Sequence, residues 1–197
     1  MIDIEILDAE SFSESKWSGG VTTELFIAPG GASYAERRFE ARISTALVEL
    51  ETSVFTRLEG VKRFLTPLCE NGFGLTINGA EELRLLPGEV LCFSGEDDIV
   101  CFGSGRDLNL MLKGREGDMR FVPKGDEFEI PEAERVFIYA VEDALIEEIP
   151  KFEDEEPAPF ALCQGDFARV YGSGRATSSG DAVLFIVERP RVCLTAE

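Results

Sequence analysis

The chain contains no histidine. That absence removes the side chain whose ordinary pKa lies nearest neutrality. With it go His-based general acid–base catalysis, Ser-His and Cys-His nucleophile pairs, and His-ligated metal sites. Carboxylate, Cys, Lys, Arg or Tyr chemistry is left, or binding without chemistry. Basic residues are scarce too: 19 Lys and Arg stand against 38 Asp and Glu, a formal net charge of −19. Phosphate contacts need clustered cations, so no nucleic-acid partner is expected, and the same charge disfavours anionic membranes. No apolar run nears the roughly 18–20 residues of a membrane span, and the N-terminus lacks the basic-then-apolar pattern of a secretion signal. The expected location is the cytoplasm. No C-x-x-C pair occurs among Cys69, Cys92, Cys101, Cys163 and Cys193. The odd count and apolar settings read them as small buried hydrophobes in a reducing compartment.

What the chain does have is short apolar runs separated by turn residues. From Arg63 to Leu112 the text turns at Asn71-Gly72, Asn78-Gly79, Pro87-Gly88 and Gly95–Asp98. Asn-Gly and Pro-Gly steps at such spacing are how an antiparallel sheet is written. The pattern returns later. Arg63–Ile77 answers to Arg135–Glu148, Leu85–Phe93 to Ala161–Val170, and Leu108–Leu112 to Val183–Val187. This predicts an all-β chain with little helix: two cupin-like jelly-roll barrels, residues 1–115 and 116–197, forming a bicupin. Ile2–Leu7 reads as a first strand. Ser11–Glu14 has the spacing of a helix capping box. Leu25–Ala28 is a strand preceded by the Trp17–Glu24 segment. Ser33–Arg38 and Lys113–Arg120 read as polar connections, and the acidic stretch Glu153–Glu156 as a solvated loop. Ile2–Leu7 or Arg191–Thr195 would offer sheet edges for a homodimer.

Four segments carry a resemblance: Trp17-Ser-Gly-Gly-Val-Thr-Thr-Glu24, Arg42-Ile-Ser44 with Ala46, Gly60-Val-Lys-Arg63, and Asp107-Leu-Asn-Leu-Met111. In this order and spacing, across about the first 115 residues, they resemble the signature of the HutD/Ves family. The resemblance implies a bicupin fold, a bacterial cytoplasmic protein and a link to histidine utilisation. It also implies a role in binding a small acid of that pathway, such as formylglutamate or urocanate. The second half carries no family motif. Ser18-Gly19-Gly20 stands where the family often has Asn and a third glycine, and Ala41 where it has a polar or aromatic residue.

The candidate site follows from charge inside strand text. Arg42 and Arg63 are guanidinium groups in apolar surroundings, and their fork geometry suits a carboxylate. The competing reading is structural, with Arg42 bridged to Asp107 or Glu24, since buried charges are usually paired. Asp107, Asn109 and Met111 share one strand face, polar at one end and soft at the other, as ligand pockets often are. Trp17 before Gly19-Gly20 is either an aromatic wall or a packing residue. Thr23, Glu24 and Ser44 complete the expected ligand-binding set. Ser44 has neither His nor a Ser-x-x-Lys spacing, so it is no nucleophile. Glu70, Glu89, Asp107 and Cys92 lack the spacing of a metal site, and no cofactor is implied. The chain therefore reads as a non-catalytic or weakly catalytic binder of a small anionic metabolite. Its rivals are a carboxylate-based isomerase or lyase with Glu24 or Asp107 as base, and a packed interaction module without ligand.

Overall fold

The structure is a computed structural model that describes residues 1–152 and 157–188. Glu153–Glu156, Arg191–Thr195 and Cys193 lie outside the described residues. Nineteen strands and one short helical turn account for the regular structure among those described. The strands are β1 (Asp3–Ile6), β2 (Ser13–Trp17), β3 (Gly20–Ala28), β4 (Ala41–Val48), β5 (Thr52–Val54), β6 (Val61–Pro67) and β7 (Phe73–Ile77). Then come β8 (Leu83–Leu85), β9 (Leu91–Ser94), β10 (Ile99–Phe102), β11 (Gly105–Lys113), β12 (Gly117–Val122), β13 (Glu127–Ile130) and β14 (Arg135–Ala140). The last are β15 (Ala144–Glu148), β16 (Phe160–Leu162), β17 (Phe167–Tyr171), β18 (Gly174–Ser178) and β19 (Ala182–Val187).

They form four sheets. In the first half of the chain the order is β2-β3-β4-β11-β6-β9, packed on β5-β10-β7-β8. In the second half, joined by β1 from the first, it is β1-β17-β14-β19-β12, packed on β13-β18-β15-β16. The inner order β4-β11-β6-β9 thus recurs as β12-β19-β14-β17, and β5-β10-β7-β8 recurs as β13-β18-β15-β16. The architecture is all-β and cupin-like. The two cupin-like units are open pairs of sheets, since among the described residues no pairing joins one sheet of a pair to the other.

Strand alternation then decides what each face meets. On the large sheet of the first half, Ala41, Ile43, Phe64, Leu108, Leu110 and Leu112 point one way. They meet Phe137, Tyr139, Phe167, Val183 and Phe185 of the second half in one apolar cluster. Phe137 stacks on Phe167 with centroids 5.1 Å apart and touches Phe26 at 4.7 Å. Burying such rings is worth about 2–3 kcal/mol each, so this seam is a main source of cohesion between the halves.

Three local expectations are corrected. The helical turn is Ala9–Ser11, capped by Asp8, whose Oδ1 accepts from the Glu10 amide at 2.9 Å. Ser13 onward is strand because it pairs with β3, which outweighs the capping-box spacing. β3 opens at Gly20, earlier than Leu25, with a register shift between Glu24 and Phe26. Part of Lys113–Arg120 is β12 rather than connection. Met119 is buried while Asp118 and Arg120 face outward, so its charges mark one side of a half-covered strand.

Candidate functional site

The other face of the large first-half sheet is not apolar. Register places Arg42 on β4 and Arg63 on β6 either side of Met111 on β11. The next row is Ser44, Asn109 and Leu65, and the next Ala46, Asp107 and Pro67. All of these except Leu65 and Pro67 line one wall of a cavity of about 430 Å³. Trp17, Thr22, Phe55, Thr56, Tyr34 and Arg37 close it from elsewhere in the chain.

Each wall element has a local cause. Trp17 folds over Gly19, where a Cβ would lie 2.2 Å from the indole ring, so only glycine lets the ring sit there. Trp17 both packs against the first-half core and lines the cavity. The loop between β3 and β4 is pinched by paired backbone bonds between Ser33 and Arg38 at 2.9 and 3.0 Å. That pinch presents Tyr34 over Arg42, with the guanidinium 4.1 Å from the ring centroid.

The two arginines are held differently. Arg42 donates from Nε to Glu24 at 2.7 Å and from Nη1 to Ser44 Oγ at 3.3 Å. Of the two bridges weighed for Arg42, the one to Glu24 is present. Among the described residues Arg63 has no carboxylate in contact. It donates to Asn109 Oδ1 at 3.2 Å and to the Thr56 carbonyl at 3.4 Å, between the rings of Phe55 and Phe93. Its Nε is buried without a partner. Burial pulls the Arg63 pKa down to about 10, against the opposing pull of Tyr34 and Asp107. Burial pushes Asp107 up to about 7, opposed by Arg63 and by the Asn109 amide, which donates to it at 2.7 Å. A cationic wall thus sits inside a strongly acidic chain.

Of the expected residues, Trp17, Arg42, Ser44, Arg63, Asp107, Asn109 and Met111 line this cavity. Glu24 stands behind Arg42 as its partner. Thr23 does not reach the cavity; its hydroxyl lies 3.5 Å from Glu14 on the opposite side of β3, because strand alternation sends Thr22 inward instead. Among the described residues no group of three or more His, Cys, Asp or Glu is placed to hold a metal ion.

A family model described as HutD matches residues 9–185. The chain belongs to the HutD family. An uncharacterized 21.2 kDa protein in the hutC 3′ region of Pseudomonas putida is 31% identical over 115 residues. That stretch covers 56% of this chain and only 59% of the relative. The structure of HutD from Pseudomonas fluorescens SBW25, described as its formate condition, superposes with a TM-score of 0.74 at 23% identity. It covers 94% of this chain and 98% of the other. A cupin 2 conserved barrel domain protein from Leptotrichia buccalis aligns at a TM-score of 0.53 and 12% identity, over 88% and 91% of the two chains. The HutD chain is therefore cupin-like in fold.

Sequence reasoning missed Tyr34, Arg37, Phe55, Thr56 and Lys16 in this HutD site. They lie in loops or at a strand edge, where no periodicity marks a side chain as inward. The one available signal was an aromatic, Tyr34, inside an otherwise polar connection. The cysteines also need correction: Cys101 is buried and Cys69 half-buried, but Cys92 and Cys163 are exposed. Cys92 sits on the edge strand β9 and Cys163 in a turn, so an apolar neighbourhood in sequence did not mean burial. Burial holds Cys101 up to about 12, an inert thiol. Among the described residues no helix is long and apolar enough to cross a membrane.

Proposed function

We propose that this HutD-family chain binds a small carboxylate metabolite in the first-half cavity. A regulatory role in histidine or other amino-acid catabolism and a cytoplasmic location belong to the same reading. The observation that carries it is Arg63: a guanidinium 6% exposed, with no carboxylate in contact and its Nε unsatisfied among the described residues. Desolvating a cation without a counter-ion is costly, and an anion entering beside Met111 would meet Arg42 and Arg63 together. The Pseudomonas putida relative lies beside hutC, which favours an acid of histidine breakdown, formylglutamate or urocanate among them. The binding unit in this reading is residues 1–115, with residues 116–197 as a packed support and a homodimer as the assembly.

A thermal-shift screen of wild type, Arg42→Ala and Arg63→Met against small carboxylates at constant ionic strength tests it. A ligand at about 100 times its Kd adds about 2.7 kcal/mol, which reads as several degrees. Stabilisation of wild type that disappears in both folded variants supports the proposal. Silence across the panel sinks it and leaves the interaction module without ligand. A second reading, an isomerase or lyase, is favoured by Asp107 alone, whose pKa of about 7 suits a general base or acid. Exchange of substrate α-protons with solvent deuterium, abolished in Asp107→Asn, would decide for it.

A further inference from the structure

We propose that anion binding in this cavity takes up one proton at Asp107, so that the site holds its ligand more tightly in mildly acidic than in alkaline solution. The inference rests on the carboxylate reading above and adds a coupling to it. Three buried groups form a chain. Arg63 Nη2 donates to Asn109 Oδ1 at 3.2 Å, and Asn109 Nδ2 donates to Asp107 Oδ1 at 2.7 Å. The amide is thereby oriented with its acceptor toward the cation and its donors toward the acid. Asp107 is 2% exposed and forms no ion pair among the described residues. The cation that balances its negative charge most is Arg63, the same guanidinium that would face the ligand, linked to it through the Asn109 amide.

A second carboxylate beside Arg63 makes two anions share one desolvated cation. In a low dielectric two such groups do not both stay ionised cheaply, and one takes a proton. The ligand would contact Arg63 directly and Arg42 as well, so its charge is the better stabilised. Asp107, one amide removed, is the group that yields. Of the remaining surroundings, Arg106 and the Ala46 backbone favour the charged form of Asp107, but each counts for less than its burial. Arg106 on β11 is the other cation acting on Asp107, β4 contributes only the Ala46 backbone, and the nearby thiols Cys69 and Cys101 are held neutral by burial. Arg42 on β4 acts on Arg63 and is itself matched by Glu24. The balance is simple: the Asp107 carboxylate plus one solvent proton gives the carboxylic acid, with no other bond changed. That Asp107 already titrates near 7 puts the event in an accessible range.

Sodium formate is the probe, since it stays ionised throughout and is small enough for the cavity. Wild type is titrated in two buffers of different ionisation enthalpy at pH 7.5, and thermal shifts are recorded at pH 5.5, 7.0 and 8.5 against equal chloride. The expected result is uptake of up to about three-quarters of a proton per formate bound at pH 7.5, since Asp107 is already partly protonated at that pH. The apparent Kd should also rise by up to about tenfold per pH unit above the Asp107 titration, a slope flattened in Asp107→Asn. Formate stabilisation that is equal at all three pH values, with no buffer dependence, overturns the coupling and leaves the carboxylate site standing. No stabilisation by formate at any pH overturns both. The proton count needs only wild type, so a poorly folding variant does not rescue the idea.

Discussion

The two halves share one strand frame and fill it in opposite ways. In the first, the row across three strands is Arg42, Met111 and Arg63, followed by Ser44, Asn109 and Leu65. In the second, the corresponding pairings place Asp118, Ile186 and Val136 in one row, then Arg120, Leu184 and Ile138. Val136, Ile138, Leu184 and Ile186 are buried in an aliphatic cluster with Ile130, Ile146 and Leu162. Asp118 is half-buried and Arg120 exposed, and they bridge each other at 2.8 Å. The cause is sheet extent. Beyond β4 the first sheet continues through β3 and β2, and the Tyr34 loop and Trp17 roof that extension. Beyond β12 the second sheet stops. The same frame thus yields a walled polar cavity where extra strands cover it, and a hydrocarbon core with a charged outer edge where they do not.

Transplanting one position across the halves should have the largest effect. Val136→Arg puts the counterpart of Arg63 into a site with neither Asn109 nor flanking Phe rings; loss of more than about 4 kcal/mol is expected. Far-UV circular dichroism with urea melts would read this as an unfolded chain, and a stable variant would contradict the contrast drawn here. Next, Phe137→Ala opens the seam and should cost about 3–5 kcal/mol. Its urea transition should remain single if the seam couples the halves, and split if they are independent.

A smaller effect isolates the polar half through pH. Asp107 keeps its proton to about pH 7 in the folded chain, whereas an unfolded Asp loses it near 3.8. The native state therefore binds the extra proton between these values, and that contribution is full below the unfolded pKa and lost as pH rises toward 7. Wild type should lose up to about 1.4 kcal/mol per pH unit across that window from this group, a slope absent in Asp107→Asn. Parallel pH–stability curves would remove Asp107 from the account. Smallest of all, Tyr34→Leu removes the ring over Arg42 and should weaken carboxylate binding by about 0.5–1 kcal/mol, visible in a titration but hardly in a melt.

Much of this was legible in residues. Asn-Gly and Pro-Gly punctuation marked strands of the first half, the turns at Gly165-Asp166 and Gly172–Gly174 marked strands of the second, and the repeat of Leu108–Leu112 in Val183–Val187 marked β11 and β19 as counterparts. Alternation put Asp107, Asn109 and Met111 on one face, because a strand has a period of two whatever its neighbours. It could not give the face of Thr23, since β3 carries a register irregularity at Glu24–Phe26 and neither Thr22 nor Thr23 is apolar. It could not identify Tyr34 either, because loop direction is set by the Ser33–Arg38 pinch and not by pattern. The bridge from Arg42 to Glu24 rather than Asp107 depended on cross-strand neighbours that only register supplies.

The place of β1 has a consequence for how such a chain comes into being. Asp3 lies opposite Tyr171 and Ile6 opposite Ala168, so the first strand completes the sheet of the second half. During synthesis this strand emerges well before its pairing edge on β17 is translated. Until then it has no strand of its own sheet to pair with, while the cavity-bearing half is made in between. Contacts of such long sequence separation close slowly. A cut near residue 115 would accordingly give two pieces of which neither is a finished unit, the first carrying a strand that belongs to the second.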